Sequence, residues 1–270
     1  MESYLVLRDL AIIIIAAKLF GIIARKLKAP QVVGEIIAGL LIGPSILGLV
    51  DQTDFLLQMA EIGVILLMFS AGLETDLKEL MKTGPIATLI ACAGVFVPLA
   101  LGALFYMLYY GMAPWGSEEF YKAVFVGTIL TATSVSITVQ SLKEMGKLKG
   151  RVGTTILSAA IIDDVIGIIV LTFVIGFKNP DSNPAQVVIS TVLFFVFAIV
   201  VGFISYKIFK IVDKRYPHTR RIPIAGLAFC FLMSYIAEKY FGIADITGAY
   251  VAGIILCSIN DSDYIERKVD

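Results

Sequence analysis

Apolar runs of about twenty residues, long enough at 1.5 Å each to cross the hydrocarbon core of a bilayer, recur along this chain. Nine segments qualify: 4–26, 32–50, 55–73, 84–109, 120–141, 151–177, 186–208, 221–240 and 245–259. The last is short, and 221–240 is the most polar. The connectors between them are brief and carry turn formers, as in "KAPQ", "KTGP", "FKNPDSNP" and "RYPHTRR". None is long enough to hide a soluble domain, so the chain reads as one all-α polytopic membrane domain.

Composition agrees. Apolar residues make up 58% of the 270 and charged residues 16%, against roughly 45–50% and 25% in soluble domains. The net charge is zero, which implies no bulk attraction to nucleic acid. Cys92, Cys230 and Cys257 lie inside apolar stretches and read as small core residues rather than disulfides or a metal site. The single histidine, His218, sits in a basic connector, which removes any histidine-based metal or catalytic cluster. The first apolar run is too long for a signal peptide, and no small-residue cleavage site follows it. It is expected to remain as a span.

Orientation follows from the basic residues. With the amino terminus outside, the cytoplasmic connectors hold seventeen of the 22 lysines and arginines. The other side holds Arg8, Lys122, Lys178 and Lys239, and Lys18 lies within the first span, where its stem can snorkel to the inner headgroups. An asymmetry this large fixes a topology under the positive-inside rule and places the end of this chain in the cytoplasm.

Two stretches are alike. "GEIIAGLLIG" (34–43) and "GAYVAGIILC" (248–257) align at a constant offset of 214, with Gly34, Ala38 and Gly39 recurring as Gly248, Ala252 and Gly253. Small residues at this spacing are common helix-packing faces. The charge rule, however, sends the two copies in opposite directions, as in the inverted repeats of secondary transporters.

In "AAIIDDVIG", at the midpoint of segment 151–177, stand Asp163 and Asp164. A charge at mid-bilayer costs about 3 kcal/mol on insertion scales, and such residues face a cavity and mark an ion or proton path. The bland alternative is a buried carboxylate satisfied by a lysine or by backbone amides, and for the first no basic residue lies at similar depth in these spans. Neighbours on a helix point about 100° apart, so the two have different surroundings, while groups this close titrate as a coupled pair. A cation stripped of water also needs neutral oxygens. Segment 120–141 supplies hydroxyls at Thr128, Thr131, Thr133, Ser134, Ser136 and Thr138. Most are expected to bond back to their own helix or glue it to a neighbour, but the density at mid-depth favours an oxygen-rich site, with Thr131, Thr133 and Ser134 as its candidates. Neither glycine nor proline marks a helix break there. Glu61, about a third of the way into 55–73, and Glu35, near the cytoplasmic end of 32–50, are candidates for an ion path. Glu74 and Asp76 belong to a connector and read as acids at a helix start.

An intramembrane aspartic protease would need two carboxylates facing each other from different helices, which adjacent residues cannot supply. No "GxGD" is present, "GIAD" (242–245) being the nearest. A channel gathers its filter from several subunits, and a non-transporting membrane subunit is the remaining alternative.

"TATSVSITVQSLKEMGKL" followed by "GTTILSAAIIDDVIGIIV", together with "VVGEIIAGLLIGPSILG" and "LLMFSAGLETDLKEL", resembles the monovalent cation/proton antiporters, in their NapA-like and Kef-like branch. The resemblance implies a non-enzymatic exchanger of sodium or potassium for protons in a bacterial or archaeal plasma membrane, with no cofactor beyond the transported ions. It also implies a homodimer with a scaffold domain and a moving core domain, working by an elevator-like motion. Asp164 would be the main cation and proton carrier and Asp163 its paired carboxylate. Two aspartates here go with electrogenic exchange. Thr133 would sit where an unwound helix crosses its partner.

Many members of that family have thirteen spans, against nine here. The first repeat is placed at about 4–177, a linker helix at 186–208 and the start of a second repeat at 221–259. Helices ending near 177 would recur ending near 391, by the offset of 214. The 270 residues are therefore expected to be the amino-terminal part of a longer antiporter, or a remnant of one, that alone binds no cation tightly and exchanges none. The topology has a direct check. A cysteine in place of Lys147 should react with an impermeant maleimide only from the cytoplasmic side, and one in place of Ser117 only from outside. Labelling of both from one side would overturn it.

Overall fold

A computed structural model describes residues 3–148, 150–176, 184–215, 221–257 and 265. Lys149, Lys178, His218, Arg220, Arg267 and Lys268 lie outside the described residues, as do the last two positions of segment 245–259. Every element among the described residues is helical: α1 (Ser3–Lys26), α2 (Gln31–Ile42), α3 (Asp54–Leu73), α4 (Leu77–Tyr110), α5 (Glu118–Ile129), α6 (Val135–Glu144), α7 (Arg151–Gly176), α8 (Pro184–Arg215), α9 (Arg221–Phe241) and α10 (Asp245–Leu256). Five described helices, α3, α4, α7, α8 and α9, are long and apolar enough to cross a membrane by length and composition. The chain divides into two compact units, Met1–Val64 with Ser136–Leu148, and Ile65–Val135 with Lys149–Asp270.

In the first unit α1 ends on Arg25 and Lys26, cations that suit the negative end of a helix dipole. The chain then reverses through Lys28 at φ 62°, with the Ala29 N–H donating to the Ala24 carbonyl at 3.0 Å. At Gly34 of α2 a Cβ would collide with the Phe20 carbonyl of α1, so the two helices meet backbone to backbone. Ala16, Ala38, Ile42 and Val50 fill the space around that contact, with Ile12, Phe20 and Leu56 against them. Helix α2 stops at Ile42 although the apolar run continues to Val50. Pro44 disfavours helical geometry at Gly43, which is extended at φ −72°, ψ −179°. The N–H groups of Leu49 and Val50 both donate to the Ile42 carbonyl, at 2.9 and 3.1 Å. The apolar tail therefore wraps the helix end, and α2, at about 18 Å, is shorter than the hydrocarbon core. Its first N–H, on Gln31, donates to Oε2 of Glu144 in α6, a carboxylate at a helix amino terminus.

In the second unit, close crossings again fall at small residues. A Cβ on Gly248 of α10 would lie 2.5 Å from the Met233 carbonyl oxygen of α9. One on Gly253 would lie 2.8 Å from the Gly72 Cα of α3, and against the Phe69 carbonyl. Beside this crossing the buried Tyr250 and Thr75 hydroxyls lie 3.1 Å apart. Thr75 Oγ1 donates to the Ala71 carbonyl, so Tyr250 is the donor between them. Helix α4 packs along α7 and α5, and Gly127 of α5 sits where any Cβ would meet the Leu99 carbonyl of α4. Phe194 of α8 is fully buried with Ala237 and Ile243.

These crossings give a paired test. Gly253→Ala should lower the melting temperature in detergent by about 5 °C or more, since backbone atoms cannot yield cheaply. Gly39→Ala, where nothing lies within 4 Å, should leave it unchanged or raise it, alanine being the better helix former. Equal effects would show that the α3–α10 contact is not tight.

Candidate functional site

Segment 120–141 is two helices. Helix α5 starts from Ser117, whose Oγ accepts the Phe120 N–H at 3.2 Å, and ends at Ile129; α6 begins only at Val135. The interruption needs neither glycine nor proline because its hydroxyls take over backbone partners. Thr131 Oγ1 donates to the Thr128 carbonyl at 2.8 Å, and Thr133 Oγ1 to the Thr131 carbonyl at 3.2 Å. The Thr131 and Ala132 N–H groups fall back three residues, to Thr128 and Ile129 at 3.1 and 3.4 Å, the tighter turn typical of a helix end.

Asp163 and Asp164 are the thirteenth and fourteenth of the 26 residues of α7, and both are half-buried. Thr133 Oγ1 lies 3.4 Å from Asp163 Oδ2, within reach of a long hydrogen bond. On the other side of the carboxyl, a Cβ on Gly94 of α4 would stand 3.3 Å from Oδ1. Asp163 thus sits between the α5–α6 interruption and a helix bared of side chain at that level. Ala91 and Val95 of α4, close by in sequence, are buried. Asp164 comes next on α7, about 100° round, so its oxygens meet different surroundings.

Of the hydroxyl candidates, the structure brings Thr133 to a carboxylate. Thr131 is 4% exposed and is turned back on its own helix. Ser134 is exposed. Glu61 and Glu35 belong to the other compact unit. Glu61 is exposed, whereas Glu35 is half-buried, accepts a hydrogen bond from Gln31 Nε2 at 2.7 Å and lines a cavity of about 370 Å³ with Gly39 and Asp51. Gly94 was missed in the sequence. Its signal was the small-residue run "ACAG" in α4, which reads equally well as a packing face. No group of three or more histidine, cysteine or acidic residues among the described residues could hold a resident metal ion.

Residues 12–270 match the family model described as "Sodium/hydrogen exchanger, transmembrane". The chain belongs to the sodium/hydrogen exchanger family. It is 38% identical over 266 residues to a Bacillus cereus protein named "Probable Na(+)/H(+) antiporter GerT", covering 97% of this chain and 68% of that one. It is also 38% identical over 263 residues to the "Na(+)/H(+)-K(+) antiporter GerN" of Bacillus cereus, covering 97% and 66%. The fold is like that of the sodium proton antiporter MjNhaP1 of Methanocaldococcus jannaschii, with a TM-score of 0.68 at 20% identity over all of this chain and 67% of the other. The chain therefore spans about two thirds of the length of these relatives, and is an integral membrane protein.

The two threonines differ in their partners, since Thr131 bonds only the preceding helix while Thr133 also reaches Asp163. Thr133→Val should weaken the apparent sodium or potassium affinity of transport about two- to tenfold, the worth of one hydrogen bond. Thr131→Val should leave that affinity unchanged and lower thermal stability instead. Equal losses of affinity would mean that Thr133 has no particular part in the site.

Proposed function

We propose that this protein exchanges sodium or potassium for protons across a bacterial or archaeal plasma membrane, with Asp164 as the carrier and Asp163 as its paired carboxylate. The observation that carries the reading is the meeting of a mid-helix carboxylate, Asp163 next to Asp164, with an interrupted helix rich in hydroxyls, in a member of this family. A carboxylate at mid-bilayer costs about 3 kcal/mol, and a bound cation or proton offsets that cost in turn. The two occupants therefore exclude each other, which is the requirement for exchange rather than leak. Thr133 reaches Asp163, which gives Asp163 a neutral neighbour while Asp164 binds and releases. The names of the two Bacillus relatives, an Na(+)/H(+) and an Na(+)/H(+)-K(+) antiporter, support the choice of ions.

Further parts of the reading are that the protein works by alternating access of an elevator-like kind, as a homodimer, with its amino terminus outside. We place an inverted repeat in α1–α2 and α9–α10. Shifting α2 by the offset of 214 gives the bounds of α10, and Gly34 and Gly248 each press on a carbonyl of the preceding helix. A protease is disfavoured because both carboxylates stand side by side on one helix.

Current recording on solid-supported membranes carrying proteoliposomes, with sodium or potassium jumps, tests the assignment, and a parental current would also overturn the expectation that these 270 residues alone exchange none. Asp164→Asn should abolish the cation-dependent current and cation binding. Asp163→Asn should keep binding but change the charge moved per turnover. Parental cation affinity in the Asp164→Asn protein would overturn Asp164 as carrier.

A further inference from the structure

A cavity of about 620 Å³ runs along one side of α8, lined by Phe195, Ala198, Gly202 and Tyr206, with Val251 and Ile255 of α10 opposite. Its walls are almost wholly apolar, and no acid is among the lining residues. At Gly202 the helices close to form the floor: a Cβ there would stand 2.9 Å from Ile255 Cγ1. From Phe195 to Tyr206 the groove follows α8 for about 16 Å, roughly the hydrocarbon depth of one leaflet. One end carries fixed charge. Lys207 Nζ lies 4.3 Å from the centroid of the Phe203 ring, itself part of the groove wall. Lys210 Nζ lies 5.3 Å from the Tyr206 ring centroid and 3.3 Å from its hydroxyl. Two ammonium groups are thus held on the aromatic rings that frame the mouth.

We propose that this groove binds an anionic phospholipid, with an acyl chain along α8 and α10 and the phosphodiester on Lys207 and Lys210. The arrangement matches the lipid's own order of parts, a hydrocarbon chain about one leaflet deep ending in a negative head. A zwitterionic lipid would fill the same groove but gain little from the lysines. The leaflet is the cytoplasmic one if the basic connectors face inward, because α8 leads from Lys207 into the most basic of them.

The test is native mass spectrometry of the purified protein in detergent, with dioleoyl phosphatidylglycerol or dioleoyl phosphatidylcholine added at equal concentration. Each lysine near an anionic headgroup is worth about fivefold in binding, so phosphatidylglycerol should be retained at least about tenfold more strongly. In the Lys207→Gln/Lys210→Gln double variant the two lipids should bind about equally, with an unchanged elution profile and melting curve in lipid-free detergent. Ile199→Trp, which fills the groove from an exposed position, should reduce both lipids and retain the parental elution profile. Equal retention of the two lipids by the parent overturns the proposal. So does a phosphatidylglycerol preference that survives the double variant, or lipid binding by the tryptophan variant at parental strength.

Discussion

Within a bilayer no water satisfies a peptide group, so an interrupted helix survives only where the freed backbone finds other partners in protein or lines a cavity. Residues 130–134 show how the sequence meets that demand. The Leu130 N–H donates to both Val126 and Gly127, the Thr131 and Ala132 N–H groups donate three residues back, and threonine hydroxyls donate to the carbonyls of Thr128 and Thr131. The same run that repairs the interruption then supplies Thr133 to Asp163. A continuous helix would have spent its backbone on itself. Helix interruption and site are one feature, and the hydroxyl density of "TATS" serves both.

Close approach of helices is the second condition. Without a hydrophobic driving force between helices in lipid, association relies on tight contact and hydrogen bonding. Gly34, Gly127, Gly248 and Gly253 all stand where a Cβ would press on a neighbouring backbone. The buried Tyr250–Thr75 bond adds a polar tie next to one of these crossings. Gly94 uses the same device differently: its bare Cα leaves room at Asp163 Oδ1, where a larger side chain would displace the carboxyl.

Of the nine apolar segments, five are, among the described residues, helices long and apolar enough to cross a membrane, and these were legible because hydrophobic length is a property of composition. Helix boundaries set by backbone geometry were less so. The run from Val32 to Val50 is apolar but for Glu35 and Ser45, and only Gly43-Pro44 marks that Ile46–Val50 folds back on the end of α2. The interruption after Ile129 bore no glycine or proline, so residue types placed oxygens there without placing the break. Residue types alone did not separate Thr131 from Thr133, although the family resemblance singled out Thr133, and geometry now distinguishes a hydroxyl bonded only to the preceding helix from one that also reaches a carboxylate. The Glu144–Gln31 contact joins residues 113 apart in the chain, which no local pattern encodes.

The paired hairpins show how far like sequence imposes like environment. Gly34 and Gly248 occupy matching places and do matching work, each against the helix before it. Gly39 and Gly253 match equally well in sequence yet differ in surroundings: α3 presses on Gly253, while nothing lies within 4 Å of the Cβ position at Gly39. The inner contact of each hairpin is set by its own residues, through a short connector that forces adjacent antiparallel helices together. The outer contact depends on a third helix, whose position the hairpin does not determine. A small residue repeated at fixed offset therefore specifies which backbone surface is available for a crossing, and the element that arrives decides whether the crossing is made.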